Sequence, residues 1–382
     1  MKKIVYVVYH DINKEARSME LLKCCKLLGE LNVVTYAIPK GIKDINTYII
    51  NKDKTFALFN FLKTAKKVIK NIQPDIVVLH DNDCSVLIPY IKRKLPRAKI
   101  IYDSSELYIT IEDKRLEEKE NRTYFENGFF VWLKQKLTSF RKSYEKRYLN
   151  RCDVVIAAND ERAVIMKDFF KLNRLPIIFD NMHKIEDEID FMDCNRRFQG
   201  IIKDNNHFNI VFAGGISPER KTIEYIKSVM SLGKRYNLII AGSATQKAKK
   251  EFKQVKSRDV NNQIHYVGFI SRAELRYLFK MCQASVIIFD KYSLNTLYCA
   301  SGKLYESIFE FTPILTSENP PLRRLCEVNN IGVSNDNYGD GILMLDQNYD
   351  VYKKSLFDYV KKLKYEDRIE SLKNMILKNL ES

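Results

Sequence analysis

Residues 209–221 read Asn209-Ile210-Val211-Phe212-Ala213-Gly214-Gly215-Ile216-Ser217-Pro218-Glu219-Arg220-Lys221. A short, unbroken apolar run ends in two glycines, and a cationic pair stands where helical spacing begins near Thr222. An apolar run of this length, closed by a glycine turn and followed by a helix, describes a parallel strand covered on both faces. The unit recurs downstream. Strands are expected at 237–241 (ending in Gly242-Ser243), 264–267, 284–289 and 314–316, with helices over 271–281 and around 303–311. Ser271, with Glu274 three residues on, has the spacing of a capping box.

The same alternation precedes residue 184. Strands are expected at 3–9, 32–38, 76–79, 99–102 and 153–157. Helical spacing runs through Leu21, Leu22, Cys25 and Leu28, over 56–72, and up to Pro96. The expected architecture is therefore α/β: an N-terminal domain over 1–183, a charged linker over 184–206, a C-terminal domain over 207–349 and a helical segment over 350–382. Open α/β sheets bind ligands at the carboxyl ends of their strands, so two such sheets place the site in a central cleft where those ends face each other.

Composition narrows the function. A chain of 382 residues suits two domains, and 45% hydrophobic residues suffice for two cores. No apolar stretch approaches the roughly 18 residues of a membrane span. Met1-Lys2-Lys3 resembles the start of a signal peptide, but the apolar run at 4–9 is too short for one, so a cytoplasmic protein is expected. Eight cysteines without C-x-x-C spacing read as reduced, buried thiols. Five histidines form no H-x-x-x-H pair, and neither a P-loop nor G-x-G-x-x-G is present. The net charge of +16 calls for anionic partners, and it divides as +11 over residues 1–182 and +5 over the rest.

Two segments of the second half carry chemistry. Gly214 and Gly215 with Arg220 and Lys221 combine a tight turn, a helix N-terminus and two cations, which suits a diphosphate. Ser301-Gly302-Lys303-Leu304-Tyr305-Glu306 opens a helix with a carboxylate that can accept both hydroxyls of a ribose. The stretch from Gly302 to Phe309, with Thr312-Pro313-Ile314, resembles the K-L-F-E-Y-x-x-x-G-x-P-V signature of retaining family 4 glycosyltransferases. Ala213-Gly214-Gly215, Ile239-Ile240-Ala241-Gly242-Ser243 and His265-Tyr266-Val267-Gly268-Phe269-Ile270 extend the likeness, and segments 74–81, 102–108 and 152–158 carry it more loosely into the first half.

The resemblance implies the GT-B fold, two Rossmann-like domains, and transfer of a sugar from a nucleoside diphosphate to a glycan or lipid-linked acceptor with retention, in surface polysaccharide assembly. Arg220 and Lys221 would hold the diphosphate and act in catalysis, Glu306 the ribose, and Lys303 the phosphate or sugar. Gly214, Gly215, Ser301, Gly302 and Leu304 would line the donor, and Phe269 and Ile270 would offer backbone groups to the base. No cofactor or metal is expected, since cationic side chains neutralise the leaving diphosphate. The chain departs from the family where Tyr298 replaces the first glutamate of E-x7-E and Ser105 the histidine of D-S-H-E-L.

On the acceptor side the candidates are His10, His80, Asp81, Asp83, Asp103 and Glu106. Asp81-Asn82-Asp83 has the D-x-D form of a metal site in a different glycosyltransferase fold, but acceptor hydrogen bonding or loop capping is the preferred reading. Over 129–151, Phe129, Leu133, Leu137 and Phe140 recur at helical spacing beside Lys134, Lys136, Arg141, Lys142, Lys146 and Arg147. That pattern fits either a helix in an anionic headgroup plane, which would make the protein peripheral on the membrane, or one packed in the fold. Two alternatives compete. One is a nucleotide-sugar epimerase of the same fold, using Asp103 and Glu106. The other is a nucleic-acid-binding protein, against which no recognition motif appears; nucleic acid is not an expected partner.

Overall fold

The structure, a computed structural model, describes residues 1–50, 57–107 and 128–381, with the side chains of 128–135, 137 and 138 outside the described part. Strands β1 (Lys2–Val7), β2 (Gly29–Thr35), β3 (Asn46–Ile49), β4 (Ile76–His80), β5 (Lys99–Ser104), β6 (Val154–Ala157) and β7 (Ile177–Ile178) form one sheet, ordered β3-β2-β1-β4-β5-β6-β7. Strands β8 (Phe208–Ala213), β9 (Tyr236–Ala241), β10 (Ile264–Gly268), β11 (Ala284–Ile287), β12 (Ile314–Thr316) and β13 (Gly332–Ser334) form a second, ordered β10-β9-β8-β11-β12-β13. Every pairing is parallel.

The central strands are buried along their length, which is why they read as unbroken apolar runs: Ile4 to Val8 and Ile76 to Leu79 have almost no exposed surface. In each sheet the chain winds outward one way and then returns to the other side of its first strand. The reversal falls between β1 and β4 in the first sheet and between β8 and β11 in the second. The loops beyond the carboxyl ends of those two strand pairs are where an open α/β sheet binds its ligand.

The chain divides into two compact units, 1–181 with 365–382, and 182–364. This corrects two expected boundaries. Residues 184–206 are not a linker: Ile185, Cys194 and Phe198 are buried against Val211, Ile239 and Leu278, and Asp190 caps the helix Phe191–Arg197. Nor is 350–382 one segment. The helix Tyr349–Lys362 stays with the second unit, where Leu356 is buried, whereas Arg368–Glu381 packs on the first through Leu372 and Ile376. All eight cysteines are free, and seven of them are buried. Among the described residues no helix is long and apolar enough to cross a membrane.

Candidate functional site

In the second unit, the two segments singled out in the sequence flank the switch between β8 and β11. Gly214 and Gly215 follow β8, but the two glycines serve different needs. Gly215 has φ +75°, and a Cβ there would lie 2.0 Å from the Ser243 carbonyl oxygen. Gly242, at φ +135°, would place a Cβ 2.4 Å from the Gly215 nitrogen. These glycines let the loops after β8 and β9 touch backbone to backbone. Gly214 is exposed, and a Cβ on it would meet only ordinary contacts.

A short 3-10 turn, Pro218–Arg220, then leads to Lys221, whose φ of +46° ends the turn at the N-cap of the helix Thr222–Ser231. Arg220 folds back so that its guanidinium lies 3.7 Å from the centroid of Phe289, just beyond β11, with Nη1 3.5 Å from the Ile288 carbonyl oxygen. Burial lowers its pKa, only partly countered by Cys299, Glu219 and Asp290; a guanidinium nevertheless remains charged. Among the described residues no carboxylate forms an ion pair with Arg220 or Lys221. An Arg held over an aromatic face without a counter-ion is a cation suited to an incoming anion.

Glu306 projects from the helix Gly302–Phe309 and is 1% exposed. Its carboxylate accepts from His183 Nε2 at 2.7 Å and Lys303 Nζ at 2.7 Å, with Arg272 Nη1 at 3.9 Å. Burial opposes its charge, but the His183 hydrogen bond and Lys303 outweigh that and hold the pKa down at about 2. Arg272 is itself tied to Asp187 and to the Lys184 carbonyl, so the segment expected to be a linker supplies part of this cluster. Ser301 is the N-cap residue of the same helix, and Leu304 is core, packed with Ile308 and Ile314. Leu304 can therefore meet a donor only through its backbone. Phe269 is largely exposed, while Ile270 packs against the core below β10. Tyr298 closes the short helix Leu294–Leu297.

In the first unit the acceptor-side candidates separate. His10 lies after β1, and His80 ends β4. His80 Nδ1 meets Asp103 Oδ2 at 2.9 Å, and its Nε2 meets Glu15 Oε2 at 3.1 Å and Asp81 Oδ2 at 3.4 Å. Burial works against a charge on His80, but Asp81 and Glu15 outweigh it and hold the imidazole well above its ordinary pKa. Asp103 is fully buried and bonded to both Arg17 and His80, so it is a positioning residue that cannot touch an acceptor. Asp81 accepts from the Ser105 amide at 2.8 Å and hydroxyl at 2.6 Å. Asp83 instead pairs with Arg141, so the D-x-D does not converge on one point. Glu106 is exposed, and its amide is 3.3 Å from Asp81 Oδ1. The sequence reading missed Glu15, Arg17, His183 and Arg272. Arg17, His183 and Arg272 act on partners that only the fold brings near, and Glu15 joins its sequence neighbours His10 and Ser18 to the distant His80.

Residues 128–148 form a helix, Gly128–Tyr148, whose Phe129, Trp132, Leu133, Lys134 and Leu137 side chains lie outside the described part. Two of its six expected headgroup-facing cations turn inward. Arg141 pairs with Asp83, and Lys142 is 7% exposed, bonded to the buried Glu145 at 2.7 Å. Glu145 also accepts from Tyr102 at 2.7 Å.

Comparison with known proteins agrees with this fold. The family model described as Glycosyl transferases group 1 matches residues 195–293, which contain Gly214, Gly215, Arg220 and Lys221. No curated protein sequence matches the chain. Among solved structures, sucrose-phosphate synthase from Thermosynechococcus elongatus superposes with a TM-score of 0.71 at 12% identity, over 99% of each chain. Anabaena HepE in complex with UDP-glucose gives a TM-score of 0.68 at 13% identity, over 100% of each. A putative UDP-N-acetylglucosamine 2-epimerase from Listeria monocytogenes gives 0.55 at 10% identity, over 93% of this chain and 90% of that one. Two parallel sheets, each with its own switch point, and full-length likeness to these structures make the chain a GT-B protein, related over residues 195–293 to the glycosyl transferases group 1.

Proposed function

We propose that the protein is a glycosyltransferase that moves a sugar, of hexosyl type, from a nucleoside diphosphate to a glycan or lipid-linked acceptor, with retention, in the assembly of a surface polysaccharide. The observation that carries this reading is Arg220, fixed on Phe289 without a carboxylate partner, at the same switch point as the Glu306 cluster. Arg220 and Lys221 meet the diphosphate, and Glu306, 1% exposed and bonded to His183 and Lys303, accepts the ribose hydroxyls by exchanging for them its bond to the half-exposed Lys303. In the reaction the bond from the sugar's anomeric carbon to the leaving phosphate oxygen breaks and that from the carbon to the acceptor oxygen forms. The acceptor's proton passes to the departing phosphate on the same face. Arg220 supplies the positive charge that this phosphate needs as it leaves. The epimerase alternative asked Asp103 and Glu106 to act as acid and base; Asp103 is sealed in its pair with Arg17, which removes half of that machinery. Release of nucleoside diphosphate from a panel of nucleotide sugars tests the proposal, and no release from any of them by folded protein would refute it.

Glu306→Gln is expected to weaken nucleoside diphosphate binding by about 1.5–3 kcal/mol, the range for hydrogen bonds to a charged group, as read by calorimetry. The same variant reports on pH. A carboxylate lowered from 4.5 to about 2 contributes stability that is present above its unfolded pKa and lost as pH falls through the folded one. The stability difference between wild type and Glu306→Gln should stay constant from neutrality down to about 4.5 and shrink toward 2. A difference that begins to shrink near neutrality would place the titration elsewhere.

Peripheral attachment through 129–151, on the cytoplasmic face, belongs to the same proposal in reduced form. Arg141 and Lys142 turn into the fold, whereas Phe140, 52% exposed, and Lys136, Lys146 and Arg147 lie on its exposed surface and would meet headgroups. Flotation with anionic vesicles should fall with salt and drop on replacing those three cations by glutamine. Equal flotation on neutral vesicles would refute an electrostatic attachment.

A further inference from the structure

Beyond β1 and β4, at the switch of the first sheet, more ligand atoms converge than hydrogen bonds can explain. His80 Nε2 lies 3.1 Å from Glu15 Oε2, 3.3 Å from Ser18 Oγ and 3.4 Å from Asp81 Oδ2. A ring nitrogen carries one proton at most, so it can donate to only one of two carboxylates. His10 Nε2 is also 3.1 Å from Glu15 Oε2, yet it is buried and, among the described residues, has no partner in hydrogen-bond geometry. Two imidazole nitrogens thus stand at the same distance from one carboxylate oxygen, and one of them is not aimed along a hydrogen bond.

We propose that His10, Glu15 and His80 bind a single divalent transition-metal ion, with zinc the match for their ligand chemistry. The site goes beyond the proposed transfer reaction and is built from the first unit alone, so its failure would leave the donor site untouched. Zinc takes histidine nitrogens and carboxylate oxygens at about 2.0–2.2 Å, and tetrahedral ligands at that radius stand about 3.3 Å apart. The two nitrogen–oxygen distances of 3.1 Å are close to that edge, and one ligand atom from each of the three residues lies within 4.8 Å of the others.

The surroundings are those of a metal-bound histidine. Asp103 accepts from His80 Nδ1 at 2.9 Å, which directs Nε2 at the cluster, and Arg17 fixes Asp103 in turn. A carboxylate behind the ligating imidazole is the usual outer partner of such a ligand. Asp81 offers a second carboxylate oxygen, 3.4 Å from His80 Nε2, and sits in the left-handed region, at φ +55°, an uncommon conformation for a residue with a side chain. The cluster is open on one side. His10 and Glu15 side chains are 35% and 30% exposed, whereas His80 is 1% exposed, so an ion has a route in.

The full-length protein, treated with a chelator and desalted, is titrated with zinc in competition with a chromophoric chelator, and separately with cobalt(II). One equivalent of zinc should bind. Cobalt should give tetrahedral visible bands without a thiolate charge-transfer band. His10→Ala and Glu15→Gln should each weaken zinc binding by more than the roughly 10–100-fold expected of an outer partner, while retaining the wild-type circular dichroism spectrum. If the variants misfold, the wild-type cobalt spectrum still decides. Absence of stoichiometric binding, a thiolate band reporting the cysteines, or affinity unchanged in both folded variants would overturn the proposal. Glu15 would then be a hydrogen-bonding carboxylate between two imidazoles.

Discussion

Arg220→Ala is expected to slow sugar transfer by roughly 10²–10³-fold, the effect of removing one preorganised group that stabilises developing charge. The expectation rests on how the guanidinium is held. Its face lies 3.7 Å from the Phe289 centroid, and its only described polar contact is a long one, 3.5 Å, to the Ile288 carbonyl. The aromatic ring fixes its plane, and its other N–H groups are available to an anion. A group positioned before the substrate arrives costs little reorganisation when negative charge builds on the leaving phosphate. Arg220→Lys should recover only part of the rate, because an ammonium has neither the planar fork nor the stacking surface. Both variants should fold, since Arg220 is in no ion pair that its loss would strand. Rates of nucleoside diphosphate release, with circular dichroism as the folding control, check this. A folded Arg220→Ala protein that works at the wild-type rate would move the diphosphate elsewhere.

The inner strands of the second sheet were legible because they are buried along their length, and the half-buried edge strand β10 because Ile264-His265-Tyr266-Val267 is rich in β-branched and aromatic residues. The expected strand at 314–316 coincides with β12, and those at 237–241 and 264–267 match β9 and β10 to within one residue. The strands that were not legible lack that burial or that length. Asn46–Ile49 is an edge strand with three of its four residues exposed, so it shows no apolar run. Ile177–Ile178 is two residues long, and Gly332–Ser334 begins with a glycine whose Cβ would lie 2.0 Å from the Ile314 carbonyl oxygen. The donor candidates were readable for a related reason: strand, glycine turn, cation and helix follow one another along the chain. His183 meets Glu306 from 123 residues away, and Arg17 meets Asp103 from 86 residues away. No local pattern marks either pairing, because both depend on which strands become neighbours.

Composition also failed to mark where the last helix goes, and the second large effect lies there. Arg368→Ala is expected to destabilise the first unit by about 3–5 kcal/mol, the cost of breaking a buried ion pair by removing one partner. Arg368 is 8% exposed at its side chain. It pairs with Glu20, reaches Asp180 Oδ1 at 3.0 Å and the Asp180 carbonyl at 2.8 Å, and lies 4.2 Å from the centroid of Phe179. Tyr365 adds a hydrogen bond to the other Glu20 oxygen at 2.9 Å. Four residues on, the helix begins to bury Leu372 and Ile376 against Leu21, Leu22 and Cys25, each burial contributing about 1.5–3 kcal/mol. The arginine therefore fixes the register in which those apolar residues enter the core. Arg17 lies over the same Phe179 ring and holds Asp103, so loosening this end also reaches the support of His80. Urea unfolding followed by circular dichroism measures the loss. The double variant Arg368→Met with Glu20→Gln should recover part of it, since neither charge then remains buried without the other. If Arg368→Ala proves as stable as wild type, apolar packing alone holds the helix, and the ion pairs contribute nothing to its attachment.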